Sequence, residues 1–280
     1  MPEGSPEEAE PSKPSGLRLP SRIVTGLLLA GLVFGTLFTS RVAWFVVVST
    51  AVLLAQHELY RAFTHRALRP AWKLGGAIGA ALLASAFAGS STALTFALSV
   101  SVAAALLWFL ADPERSEVSE RLSTTLFGVL YVPFLGAHFV LLRDLEHGPA
   151  ITIAVIGLTA FYDIAAFTTG SLAGRRPFAP SVSPRKTIEG AAGATVFIFV
   201  LALFVGPFIE PFTAASAAAL AAVVAVAAPL GDLAESLLKR DLGIKDMGGI
   251  LPGHGGLLDR IDALLYVAAP AYWVVRAFTA

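Results

Sequence analysis

Cysteine is absent from the 280 residues, which excludes disulfides, thiolate zinc sites and cysteine nucleophiles together. Charge is scarce too. Only 14% of residues are Asp, Glu, Lys or Arg, against about a quarter in a soluble domain. The formal net charge is zero, so the global balance is silent on nucleic acid, and no nucleic-acid partner is expected. Several catalytic signatures are missing as well. There is no glycine-rich loop ending in Gly-Lys-Ser/Thr and no Gly-x-Gly-x-x-Gly after a strand. His57-Glu58 does not begin a zinc-protease helix, because Arg61 stands where the second His is needed. His138 and His147 read as structural.

What abounds is apolar. Hydrophobic residues make up 56% of the chain, and the mean hydropathy is +0.73. Most of this chain is therefore solvated by lipid. A helix crossing the hydrocarbon needs about 20 apolar residues, at 1.5 Å each through about 30 Å. Runs of that kind predict nine spans, at about 22–40, 42–60, 72–89, 92–111, 123–142, 150–169, 191–209, 213–232 and 262–279. They are too long for barrel strands and seldom alternate with period two. Helices satisfy their own backbone groups in lipid, so the expected fold is an all-α polytopic membrane bundle.

Residues 1–21 are rich in Glu, Pro and Ser and read as a disordered cytoplasmic tail. The acidic stretch Glu7–Glu10 ahead of the first apolar run argues against a secretory signal. Residues 22–120 read as N-terminal membrane helices and 121–280 as the membrane catalytic region. With nine spans, 17 of the 20 basic residues fall on one face, and only Arg41, Arg143 and Arg276 on the other. The positive-inside rule then puts the N-terminus and the long loops 170–190 and 233–261 in the cytoplasm of a multi-pass cell-membrane protein. Gly31-x-x-x-Gly35 and Gly75-x-x-x-Gly79 let helices approach closely. Packing within the chain is the favoured use of both, with a homodimer face as the alternative.

The chemistry-bearing residues gather in the two long loops. Asp232, Glu235, Ser236 and Lys239 share a face if the preceding helix continues. Carboxylates followed by Lys239 and Arg240 suit a magnesium ion carrying phosphates, since that ion takes one or two carboxylates plus substrate oxygens and water. Pro252-Gly253-His254-Gly255-Gly256 predicts a tight loop with backbone N–H groups open to an anion. Asp259 and Asp262 follow on the first turns of the last span, with Arg260 between them. Acids there also suit the helix dipole, so capping alone is the plainer alternative. In the other loop, Asp163 sits inside an apolar run, where an unpartnered acid costs about 3 kcal/mol. Ser183-Pro184-Arg185-Lys186-Thr187 supplies hydroxyls and cations, with Thr187 a helix cap and Glu189 support for the first turn. Anionic headgroups and a triphosphate fit that segment equally well.

Over residues 236–262 the pattern Ser-Leu-Leu-Lys-Arg, four residues, Lys-Asp-Met-Gly, then Leu-Pro-Gly-His-Gly-Gly-Leu-Leu-Asp-Arg-Ile-Asp resembles the signature of the phosphatidate cytidylyltransferase family. Ser183–Thr187 with Glu189-Gly190 resembles the Ser-Pro-Lys-Lys-Thr segment of the same family. Two departures stand out. Asp163-Ile164-Ala165-Ala166-Phe167 occupies the place of Asp-Thr-Gly-Ala-Tyr, and Arg185 replaces a lysine. The resemblance implies that CTP and phosphatidate become CDP-diacylglycerol and pyrophosphate. It implies Asp232 and Asp259 as ligands of Mg2+, with Asp163 and Glu235 as further candidates and room for a second cation. It implies Lys239 as a catalytic cation beside them. Phosphate contacts would come from Ser183, Arg185, Lys186, Thr187, Ser236, Arg240, Lys245 and Arg260, and from the loop at His254, Gly255 and Gly256. Asp262 would act from the outer shell, and Asp246 would orient Lys245. The alternatives are a CTP-dependent enzyme acting on an ether-linked archaeal phosphatidate or a polyprenol, and a non-catalytic lipid-binding membrane protein.

Overall fold

The computed structural model describes residues 18–250 and 255–279. Within them the chain is a bundle of nine helical rods and one small hairpin. The rods are α1 (Arg18–Thr39), α2 (Arg41–His65), α3 (Trp72–Phe87), α4 (Ser91–Ala111), α5 (Val118–Arg143), α6 (Gly148–Ala173), α7 (Ile188–Val205), α8 (Ala214–Leu242) and α9 (Leu258–Thr279). Seven of these, all but α1 and α3, are long and apolar enough to cross a membrane. Large apolar side chains cover the outside, among them Phe96, Leu107, Phe167, Phe204 and Phe208. In water such a surface would aggregate; in lipid it is solvated.

The turn chemistry explains where helices begin and end. Ser40, Ser90 and Thr187 cap α2, α4 and α7 by accepting from the N–H of Ala43, Ala93 and Gly190. Thr213 and Ser216 form a reciprocal capping box on α8. Gly243, at φ +66°, closes α8 in a left-handed turn, where its N–H and that of Ile244 bond back to Arg240 and Lys239. Pro133 lacks an N–H, and α5 widens to a π turn over Leu130–Phe134 around it.

Three structural details differ from the sequence expectation. α8 runs ten residues past the expected end at 232, because polar Asp232–Leu242 still satisfies its own backbone as it leaves the lipid. Loop 170–190 is not irregular: α6 continues to Ala173, and β1 (Pro177–Ala179) pairs antiparallel with β2 (Ser183–Thr187). Finally, a side chain at Gly31 or Gly35 would meet nothing within 4 Å, so among the described residues this pair does not serve packing within the chain.

Gly75 and Gly79 do serve it. A side chain at Gly75 would collide with the Tyr60 hydroxyl, and one at Gly79 would lie 2.5 Å from Gln56 Oε1. Tyr60 donates to Thr125 O at 2.8 Å, and Gln56 Nε2 donates to Gly75 O at 2.9 Å. This buried network ties α2, α3 and α5 together. Gly75→Ala is therefore expected to lower the apparent unfolding midpoint in detergent by several degrees, a cost of about 1–3 kcal/mol from overpacking. A wild-type midpoint in that variant would show that the contact carries no stability.

Two polar knots lie away from this core. Between α4 and α5, Asp112 accepts the N–H of Glu114 and pairs with Arg121 at 2.8 Å. The backbone bond and the guanidinium hold its carboxyl below the usual range. At the far end of the bundle, Arg41 pairs with Asp144 at 2.6 Å, and His147 lies 3.8 Å from Glu210. His138 is buried, with its ring nitrogen 2.9 Å from Phe134 O.

Candidate active site

α8 packs most extensively against α9, and α6 against α7. The C-terminal ends of α6 and α8 therefore meet the N-terminal ends of α7 and α9, and the charged residues collect where those ends meet. The spacing of Asp232, Glu235, Ser236 and Lys239 along α8 puts them on one face, as their contacts show. Lys186, near the end of β2, forms an ion pair with Asp232 Oδ2. Ser236 Oγ approaches Asp232 Oδ1 at 3.4 Å. One turn further, Lys239 Nζ donates to Glu235 Oε2 at 2.7 Å and to Asp259 Oδ1 at 2.8 Å. A single ammonium thus joins α8 to α9.

The two carboxylates around Lys239 are nearly sealed from solvent, with Glu235 1% and Asp259 8% exposed. Asp232 is more open, at 38%. Asp163 and Asp262 stand close enough to Asp232 to interact with its charge, and Asp163 also senses Lys186. Asp163 therefore does face partners, across the end of α6. Both oxygens of Asp259 are engaged by protein donors: Oδ2 accepts the N–H of Met247 at 2.9 Å and of Gly256 at 3.0 Å. A cation on Oδ1 would have to take the place of Lys239.

The remaining expected site residues are more dispersed. Thr187 caps α7, and Glu189 accepts the N–H groups of Arg175 and Arg176 at 3.0 and 3.1 Å. Ser183 opens β2 opposite Ala179. Arg240 reaches across to the carbonyl of Val182 in the hairpin turn. Arg185 and Lys245 are exposed beside the site, and Arg260 is exposed on the first turn of α9. Asp246 faces Gly255, whose φ of +83° suits glycine. His254 lies outside the described residues.

Two participants were missed in the sequence. Tyr131, from α5, puts a buried hydroxyl without a hydrogen-bond partner near Glu235 and Asp262. Glu58, from α2, accepts backbone N–H groups of the α8–α9 loop. A buried acid in an apolar run was the available signal for Glu58, the same signal that singled out Asp163.

No group of three metal-ligating side chains forms a closed cage among the described residues. The donor set instead suits a cation that brings its own oxygens. Glu235 Oε1 is buried beside the Asp262 carboxyl with no protein N–H or O–H donor among the described residues, and Asp232 presents a partly open carboxylate next to it along the helix. That is an incomplete hard-oxygen set of the kind magnesium completes with phosphate and water.

Residues 20–278 match the cytidylyltransferase family. The chain belongs to that family. A phosphatidate cytidylyltransferase of Mycobacterium leprae is 31% identical over 281 residues, covering 92% of this chain and 88% of that protein. The phosphatidate cytidylyltransferase of Thermotoga maritima is 34% identical over 174 residues, 60% of this chain and 64% of its own length. Escherichia coli YnbB is 38% identical over 133 residues, which are 48% of this chain and 45% of that protein. The family match spans all nine rods.

Proposed function

We propose that this protein transfers the cytidylyl group of CTP to phosphatidate, forming CDP-diacylglycerol and pyrophosphate at a membrane surface. The observation that supports this most is the pairing of cations and carboxylates at one end of the bundle: Lys186 with Asp232, and Lys239 between Glu235 and Asp259. The bundle itself suits a lipid substrate, and the relatives from Mycobacterium leprae and Thermotoga maritima carry the corresponding name.

In this reading, a phosphate oxygen of phosphatidate attacks the α-phosphorus of CTP in line. The new P–O bond forms as the bond from the α-phosphorus to the bridging oxygen breaks, and pyrophosphate leaves with that electron pair. No enzyme nucleophile is needed; positioning and electrostatics supply the rate. Lys186 and Lys239 draw the phosphates toward the cluster, with Arg185, Arg240, Lys245 and Arg260 around them. Ser183, Thr187, Ser236 and the N–H group at Gly255 are the neutral donors. Asp232 and Glu235 would hold a divalent cation, with Asp163 and Asp262 beside them. Such an ion offsets the charge that builds on the leaving pyrophosphate. Asp259 fixes Lys239 and the loop amides, and takes a ligand role only by releasing Lys239. The basic-residue asymmetry supports nine spans, a cytoplasmic N-terminus and a cytoplasmic site in the cell membrane. CTP then arrives from water and phosphatidate from the bilayer.

The test is pyrophosphate release by purified protein in detergent. Release is expected to require CTP, phosphatidate and Mg2+ together, and to fall about 100-fold or more in Asp259→Asn, as when one charged group is removed from a preorganised site. Absence of release with phosphatidate would overturn the proposal.

A further inference from the structure

Two carboxylates hold the loop between α8 and α9, and they come from opposite ends of the sequence. Asp259 takes the N–H groups of Met247 and Gly256. Glu58, 200 residues before Leu258, accepts its N–H at 2.9 Å through Oε2. The other oxygen, Oε1, faces the N–H of Ile250 at 3.4 Å. The four donors thus alternate between carboxylates, at both ends of the loop. Residues 247–250 and 256–258 are drawn together by this clamp.

The glycines fit the same arrangement. A Cβ at Gly248 would collide with the Glu58 carboxylate. One at Gly256 would lie 3.0 Å from Glu58 Oε2 and 2.6 Å from Asp259 Oδ2. The backbone closes on two charges only because both positions lack a side chain. Glu58 is 2% exposed. A buried charge on a membrane helix is costly, and simple packing would be served by an apolar residue. Just over two turns further, at the C-cap of α2, Arg66 bonds the carbonyl of Asp241 at the end of α8. The end of α2 is therefore fixed to both sides of the loop.

We propose that Glu58 is a positioning residue for cytidylyl transfer. With Asp259 it sets the shape of the loop, and through that shape the placement of Asp259 against Lys239. This rests on the function proposed above, and the test separates the two. Glu58→Gln keeps the size of the side chain but turns an N–H2 toward a backbone donor.

Hydrogen exchange of the full-length protein in detergent is the first measurement. In Glu58→Gln, peptides covering 247–258 are expected to exchange faster, while those within α8 and α9 stay protected. The second is steady-state kinetics. kcat is expected to fall about 100-fold, as a small misplacement of reacting groups does. KM for phosphatidate should stay within about twofold, and Glu58→Asp should recover part of the rate. Unchanged exchange over 247–258, loss of protection throughout the bundle, or a wild-type kcat would each overturn the proposal. If Glu58→Gln fails to fold, Gly248→Ala presses on the same carboxylate from the loop side and must give the same signature. If wild-type protein releases no pyrophosphate, the function falls, while the exchange result still decides whether Glu58 holds the loop.

Discussion

Lys239→Met is expected to lose both activity and stability, and adding Glu235→Gln is expected to return the stability alone. The ammonium of Lys239 lies 2.7 Å from Glu235 and 2.8 Å from Asp259, and both carboxylates are almost fully buried. Removing the cation leaves two like charges facing each other with little water. Breaking a buried pair in this way costs about 3–5 kcal/mol. For a chain of this size that corresponds to an apparent midpoint about 10 °C lower. Neutralising Glu235 removes half of the uncompensated charge, and the midpoint should recover. The rate should not recover, because the phosphate-attracting cation is still missing; a loss of about 100- to 1,000-fold is expected, as for other charged groups of a preorganised site. A Lys239→Met protein that turns over at a tenth of the wild-type rate would remove Lys239 from the chemistry and leave it a purely structural clasp.

Asp232→Asn should behave in the opposite way, losing rate while keeping its midpoint. Asp232 is 38% exposed and its partner Lys186 is 27% exposed. A pair so open to solvent contributes about 1 kcal/mol or less. Its proposed task is to hold the divalent ion, and the amide is a far poorer ligand. Losing several kcal/mol of charge stabilisation corresponds to a fall of about 1,000-fold. The Mg2+ concentration for half-maximal rate should rise about 10-fold or more at the same time. Lost activity with an unshifted Mg2+ requirement would assign Asp232 to holding Lys186 instead. The two variants together separate the clasp that assembles the site from the carboxylate proposed to serve the reaction.

Local signals in the sequence anticipated much of this site. The face formed by Asp232, Glu235, Ser236 and Lys239 follows from a helical repeat, and the Thr187 cap follows from its place before an apolar run. Apolar runs located all the rods, since lipid admits few alternatives to a helix. Helix ends were less legible. Hydropathy drops at Asp232, yet the backbone stays helical to Leu242 because leaving lipid does not itself break a helix. Gly243 marks the true end. The hairpin gives no alternating pattern, since none of its strand residues is fully buried on either face. What Glu58 holds was out of reach for a different reason. Its partners lie 192 and 200 residues away, and they are main-chain N–H groups that look alike in every sequence.

The crowded stretch of α2 has a consequence for how freely this protein can change. Within little more than one turn, Gln56 bonds Gly75, Glu58 bonds the loop amides, and Tyr60 bonds Thr125. Gln56, Glu58 and Tyr60 are all buried. By contrast, most of the large side chains of α4 point into lipid, where one apolar residue serves nearly as well as another. Tolerance to substitution in the first hundred residues is therefore concentrated unevenly. A single short segment carries these three buried tethers together, and much of the outer surface around it is free to drift.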